Sequence, residues 1–74
     1  MPQSGTENVY RSTEVIGSSA ESQEAAIRNA IARAAKTVRN LEWFEVVESR
    51  GHIVDGNRIG HHQVVLKLGF RVEE

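Results

Sequence analysis

The stretch Leu41-Glu42-Trp43-Phe44-Glu45-Val46-Val47-Glu48-Ser49-Arg50-Gly51-His52 sets the strongest constraint on what this chain can become. It holds the only tryptophan, directly follows the longest helical pattern, and reads as a strand that is apolar on both faces at its start. A strand with two apolar faces needs a cover on each. The preceding helix can supply one. A chain of 74 residues has little left for the other, so Trp43 is expected to lie under something from outside the protomer.

With 39% hydrophobic and 26% charged residues, the composition is that of one small globular domain. A domain of this size buries only about 60% of the surface its unfolded form exposes, so its own core is marginal. The absence of cysteine removes disulfide staples, thiolate chemistry and Cys-based zinc sites together, and leaves association as the route to stability. A formal net charge of −1 provides no sustained positive field to attract nucleic acid or acidic membranes. No apolar run approaches the ~20 residues of a membrane span, and the N-terminus lacks the charged-then-apolar layout of a secretory leader, so a cytoplasmic protein is expected.

Residues 1–8 are polar, aperiodic and carry the only proline, as expected of a disordered tail preceding a single domain over residues 9–74. Val9 to Ile16 alternates in part, with Val9 and Val15 on one parity and Tyr10 as its aromatic, and predicts a first strand with one wet face. Gly17-Ser18-Ser19 ends that strand, and Ser19 is placed to cap a helix whose first turns carry Glu21 and Glu24. From Ala20 to Asn40 the pattern is helical. Ile27, Ile31, Ala34, Val38 and Leu41 make one apolar stripe, widened by Ala26, Ala30 and Ala35. A stripe so lean in side-chain volume lets the helix approach a sheet closely and leaves the strands to supply the bulk. Glu24 and Arg28 are spaced as an i,i+4 pair, and Asn40 can take a left-handed C-cap.

Trp43 to Val54 predicts the second strand, with a bulge expected at Gly51. Asp55-Gly56-Asn57 is a turn signal that joins it to a third strand as a hairpin. From His61 onward the alternation is regular. His62, Val64, Leu66, Leu68, Phe70 and Val72 fall on the face that must meet the helix, and Gln63, Val65, Lys67, Gly69 and Arg71 on the other. The order strand, helix, strand, strand makes an α+β fold. With the third strand between the other two, every pair is antiparallel and the sheet order is 1-3-2, packed on one helix. Phe44 and Val46 then belong under the helix. Trp43, Glu45, Gln63, Val65, Lys67 and Tyr10 share the opposite face, a mixture suited to binding.

These residues together resemble the dodecins, a family of small flavin-binding proteins. The likeness is carried by Gly17-Ser18-Ser19, by Ala32-Arg33-Ala34-Ala35-Lys36-Thr37-Val38-Arg39, and by Trp43-Phe44-Glu45-Val46 with Arg50-Gly51-His52. It closes on Gln63-Val64-Val65-Leu66-Lys67-Leu68-Gly69-Phe70-Arg71-Val72-Glu73. The ordered set, collinear from about Tyr10 to Glu73, is what makes it specific. The resemblance implies a β-α-β-β protomer, a hollow dodecamer, and riboflavin, FMN or FAD bound at subunit interfaces for storage and quenching of flavin photochemistry. It implies that Trp43 stacks on the flavin ring, that Gln63 hydrogen-bonds its pyrimidine edge, and that Arg50 and Arg71 lie near its phosphate and ring. It further implies coenzyme A on basic helix residues, here Arg33, Lys36 or Arg39.

Elementary chemistry supports two of these roles. An indole is a large electron-rich plate that stacks well on another flat ring. A glutamine offers a donor and an acceptor that match the alternating groups of a flavin edge. Plainer roles stand beside them: a lone tryptophan is more often core, Arg50, Arg71, Lys67 and Glu45 can pair between subunits, and Arg33, Lys36 and Arg39 can be a solvated face. His52, His61 and His62 show no third ligand at a metal-binding spacing. The chain also shows no nucleophile with a paired base, so a non-enzymatic protein is expected, against a flavin-dependent redox enzyme or a purely structural assembly module.

Overall fold

The computed structural model describes residues 8–73, in the order β1 (Tyr10–Ser19), α1 (Gln23–Ala34), β2 (Leu41–Val54) and β3 (Arg58–Arg71). Of the tail expected over residues 1–8, all but Asn8 lies outside the described residues, as does Glu74. The sheet has the order β1-β3-β2 with both pairs antiparallel, as the sequence predicts. Asp55 (φ 53°) and Gly56 (φ 79°) both take left-handed backbone, and the Asn57 N–H donates to the Val54 carbonyl at 3.3 Å. That is the mirror-image turn whose twist matches a hairpin. It lets β3 pair with β2 from Arg58, three residues before the expected start at His61.

The helix is shorter than its apolar stripe. β1 runs on to Ser19, so the N-cap falls to Ser22, whose extended backbone (φ −167°) lets its Oγ accept from the Ala25 N–H at 3.0 Å. Ser19, expected to be the cap, instead accepts from the Glu21 N–H at 2.9 Å and shapes the turn before it. At the far end the helix stops at Ala34 rather than Asn40. The Lys36 and Thr37 N–H groups donate to Arg33 and Ala34 in tightened turns, through a segment holding β-branched Thr37 and Val38. Asn40 does take the left-handed conformation (φ 66°), but several residues beyond the helix, where it swings the chain so that Leu41 pairs with Phe70. Leu41 therefore joins the core from β2 rather than from the helix. Glu24 and Arg28 pair at 2.7 Å on the exposed face, as their spacing predicts.

The core is built where the stripe is leanest. Ala26 and Ala30 meet Val64, Leu66 and Leu68 of β3, with Val15, Ile27, Ile31, Ala34 and Leu41 around them. Glycine makes this approach possible: a methyl group at Gly17 of β1 would overlap the Ala26 carbonyl and stand 2.8 Å from the Ala30 Cβ. A helix seated this closely covers β1 and β3 and stops short of β2. Phe44 and Val46 lie opposite Leu68 and Leu66 on the helix side, as expected, yet they are 48% and 43% exposed rather than under the helix.

The pairing of β2 with β3 is irregular between Leu41 and Trp43, between Val46 and Glu48, and between His52 and Ile53. Gly51, where the bulge was expected, is regularly paired with His62. The extra residues are Glu42 and Val47 on β2 and Gly60 on β3. The bulge at Val47 reverses the parity of β2. Before it, odd-numbered Trp43 and Glu45 face away from the helix; after it, even-numbered Glu48 and Arg50 do.

Gly17→Val should destabilise the protein by roughly 1–3 kcal/mol, the usual cost of forcing extra methyl groups into a packed contact. The check is a lower urea midpoint at fixed protein concentration with an unchanged slope.

Candidate functional site

The face of the sheet turned away from the helix is layered by the strand register. Ser12, Gly69 and Trp43 form one row, Glu14, Lys67 and Glu45 the next, then Ile16, Val65 and Glu48, and last Ser18, Gln63 and Arg50. Acid, base and acid alternate across the second row, the arrangement that cross-strand charges favour. Val65 is buried within the single chain, whereas Trp43 is 47% and Ile16 61% exposed.

Trp43 is held as a plate. Its cross-strand partner is Gly69, and a methyl group there would overlap the indole, so the ring lies across the bare backbone of β3. Tyr10 on β1 meets the indole edge-on, with ring centroids 5.1 Å apart and planes at 61°. One side of the indole is thus seated on the sheet, an edge is braced by Tyr10, and about half of the residue is open. Arg71, paired with Tyr10, reaches Glu42 at 3.7 Å. The bulge at Glu42 therefore places an acid against the arginine expected near a ligand.

Gln63 and Arg50 form the second group. The Arg50 guanidinium donates to Gln63 Oε1 at 3.2 Å and to Glu48 Oε1 at 2.7 Å, and both arginine and acid are partly exposed. The parity of the sequence alone would have left Arg50 on the helix side with Phe44. The Val47 bulge brings it to the side of Gln63. Nothing in the local pattern marks Val47 as the bulged residue, which is why sequence reasoning assigned the bulge to Gly51.

The two groups do not meet within one chain. From Gln63 to Gly69, where Trp43 sits, is a run of β3 about 20 Å long. That exceeds the length of three fused six-membered rings. A ring of that length seated over Trp43 does not span the two rows of backbone.

The basic residues divide similarly. Arg39 and Arg71 line an open depression of about 400 Å³ with Arg11, Phe70 and Val72, and Arg39 is tied to Glu73 at 3.5 Å. Arg11 was not singled out from sequence; its position on β1 opposite Phe70 brings it there. Arg33, in the last helical turn, and Lys36 are exposed and stand outside this depression. His52 and His61 are paired across β2 and β3 with ring centroids 6.5 Å apart, while His62, on the helix side, lies against Gln23. Among the described residues no three or more His, Cys, Asp or Glu side chains gather as a metal site. No described helix is long and apolar enough to cross a membrane.

Comparison with known proteins agrees with this architecture. The family described as Dodecin matches residues 9–73. The dodecin of Thermus thermophilus is 53% identical over 66 residues, which cover 89% of this chain and 94% of that protein. The solved dodecin from Streptomyces davaonensis superposes with a TM-score of 0.86 at 51% identity, covering 93% of this chain and all of that one. The dodecin from Streptomyces coelicolor does so with a TM-score of 0.85 at 52% identity, over 93% and 97% of the two chains. A match over nearly the whole chain, in sequence and in backbone alike, places this protein in the dodecin family.

Proposed function

We propose that this protein is a flavin store: it binds FMN or riboflavin, with FAD as the bulkier variant, at interfaces of a closed homododecamer, and quenches the photochemistry of the bound ring. The single observation that carries this reading is the seating of Trp43, an indole laid on the bare backbone of Gly69, braced by Tyr10 and open on its remaining surface. A side chain that merely filled a core would not be held flat and half exposed.

The residues fit a flavin by their chemistry. Trp43 offers a preorganised plate for offset stacking at small conformational cost. Gln63 carries the donor and acceptor that a pyrimidine edge requires, and its Oε1 is already oriented by Arg50. Arg50 offers a fork for ring oxygens or a phosphate. Arg71 is paired to Glu42, so it contributes less free positive charge than the resemblance implies. A bound flavin supplies a light-absorbing, redox-active ring. Trp43 would stack on such a ring as an electron donor to its excited state, and return of the electron to the indole would release the absorbed energy as heat. Trp43, Gln63 and Arg50 recognise and cover a ring; none is a nucleophile with a paired base, so the reading includes no catalysis.

Assembly belongs to the same reading. Phe44, Val46, Val47, Ile53 and Ile59 leave much of the β2–β3 arm apolar and exposed in one chain, and the two ligand-facing groups lie about 20 Å apart along β3, a separation that favours their meeting between chains. Coenzyme A is a second ligand on this view, and its anionic groups are better served by Arg11, Arg39 and Arg71 around the open depression than by Arg33 or Lys36.

The purified protein should elute near 98 kDa, the mass of twelve chains of 8.2 kDa each. A stable monomer would sink the interface argument. Titration with FMN should quench both flavin and Trp43 fluorescence. Trp43→Ala should weaken FMN binding by about thirtyfold or more, the loss that corresponds to a binding hot spot of about 2 kcal/mol. Collapse of the assembly by the same change would favour a purely structural module, and turnover of a reductant by the loaded protein would favour an enzyme. Gly69→Val should lift the indole from the sheet. Far-UV circular dichroism should be retained while tryptophan emission shifts and FMN affinity falls.

A further inference from the structure

Gln23, the first residue of α1, is directed at the far strand. Its Nε2 donates to the Arg50 backbone carbonyl at 3.3 Å and stands 3.3 Å from His62 Nδ1, while its Oε1 accepts from Ser49 Oγ. The orientation of the amide is fixed, because a carbonyl only accepts and Nε2 must face Arg50. His62 Nδ1 faces the same amide group. Among the described residues, the side-chain hydrogen bonds that run from α1 to β2 all come from Gln23. The helix otherwise packs on β1 and β3.

We propose that Gln23 is a positioning residue for Arg50: it selects the β2 register that places the arginine beside Gln63. Two registers compete over this segment. In the observed one Val47 is the extra residue, Ser49 faces the helix side opposite Val64, and Arg50 is opposite Gln63. If Gly51 were the extra residue instead, Ser49 would stand opposite Gln63, and Arg50 would turn to the helix side opposite His62. Glycine tolerates a bulge at least as well as valine does. Burial separates the two weakly, because Val47, Glu48, Ser49 and Arg50 are all exposed in the single chain. The contacts that exist in the observed register and not in the other are of two kinds. One is the hydrogen bond from Arg50 to Gln63, made on a partly exposed surface; the others are those of Gln23 with the Ser49 hydroxyl and the Arg50 carbonyl, which alone among the described residues tie β2 to the helix by hydrogen bonds. A one-residue slip turns every intervening side chain to the opposite face, so this amide decides which face receives the arginine. The consequence for flavin rests on the function proposed above; the register itself does not.

The chain has no cysteine, so a designed pair reports the register without background. Arg50→Cys with Gln63→Cys should close an intrachain disulfide on mild oxidation, since cross-strand partners lie within disulfide reach. Adding Gln23→Ala should slow that closure about tenfold, equivalent to about 1.4 kcal/mol of register preference. Ser49→Cys with Gln63→Cys removes the hydroxyl contact itself, so this pair should close to some extent with Gln23 present and more readily in the Gln23→Ala chain. Alanine is the best helix former, so the helix should survive, as circular dichroism would show; Gln23→Glu, which keeps the acceptor but loses both donors, serves as a second variant. Equal closure of the first pair with and without Gln23 overturns the proposal. So does its loss without gain of the second pair, which would mean a loosened strand rather than a shifted one. In FMN titrations, Gln23→Ala should weaken binding no further when combined with Arg50→Ala, and additive losses would overturn positioning. A chain that binds no FMN at all defeats the flavin reading and leaves the disulfide test to decide the register.

Discussion

The contact on which the rest of the molecule depends is the one between Gly17 and the Ala26–Ala30 face of the helix. Without side-chain bulk on either side, helix and sheet come close enough for Val64, Leu66 and Leu68 to be almost wholly buried by a helix of only 12 residues. Close seating has a cost in width. The helix reaches two strands, and the third is left with Phe44, Val46 and Val47 about half exposed. At roughly 25 cal/mol per Å² of apolar surface, an uncovered strand of this kind is a large unrealised stabilisation for so small a chain. The drive to associate follows from the geometry of the core, and the apolar side of β2 is where that drive is concentrated.

The second determinant is the interruption of β2. A regular strand would carry Trp43 and Arg50 on opposite faces, because they are seven residues apart and side chains alternate. One bulge at Val47 makes the separation even in effect and assembles the indole, Gln63 and the guanidinium on one surface. The bulge at Glu42 acts at the other end, setting its carboxylate against Arg71. These insertions change no fold-level property. They decide which charges share the face that carries the indole.

This division explains what the sequence made legible. The core face of β3 and the placement of Trp43 opposite the helix side follow from periods of two and of about four residues, which extend over many positions and tolerate local errors. The hairpin follows from the turn residues Asp55-Gly56-Asn57, and the strand order from the β-α-β-β connectivity. The ends of the helix were not legible, because the stripe continues through Val38 and Leu41 although the backbone leaves the helix at Ala34. Leu41 meets the core equally well from a strand, so hydrophobic periodicity cannot tell the two apart. Ser19 and Ser22 are both good caps, and the choice between them depends on how far β1 pairs with β3, a long-range matter. The side of Arg50 was illegible for the same kind of reason: the bulge is selected by partners distant in sequence, Gln23 among them, and not by a signal within β2. Arg11 was overlooked because one arginine on a half-exposed strand carries no pattern of its own.

A separation of about 20 Å between the indole row and the Gln63 row also fixes how binding and assembly are related. On the flavin reading, a ring shared between the two rows is bound by pairs of chains, and an isolated protomer offers it only half of its contacts. Whatever free energy the ring gains in the assembled state is then free energy of assembly as well, since it binds one state and not the other. On that reading the converse holds as well: the exposed apolar arm, by driving association, would bring the two halves of the site together before any ligand arrives. On the flavin reading, the smallness of the protomer and its capacity to hold a large flat ring are consequences of one fact, a helix too narrow to cover its own sheet.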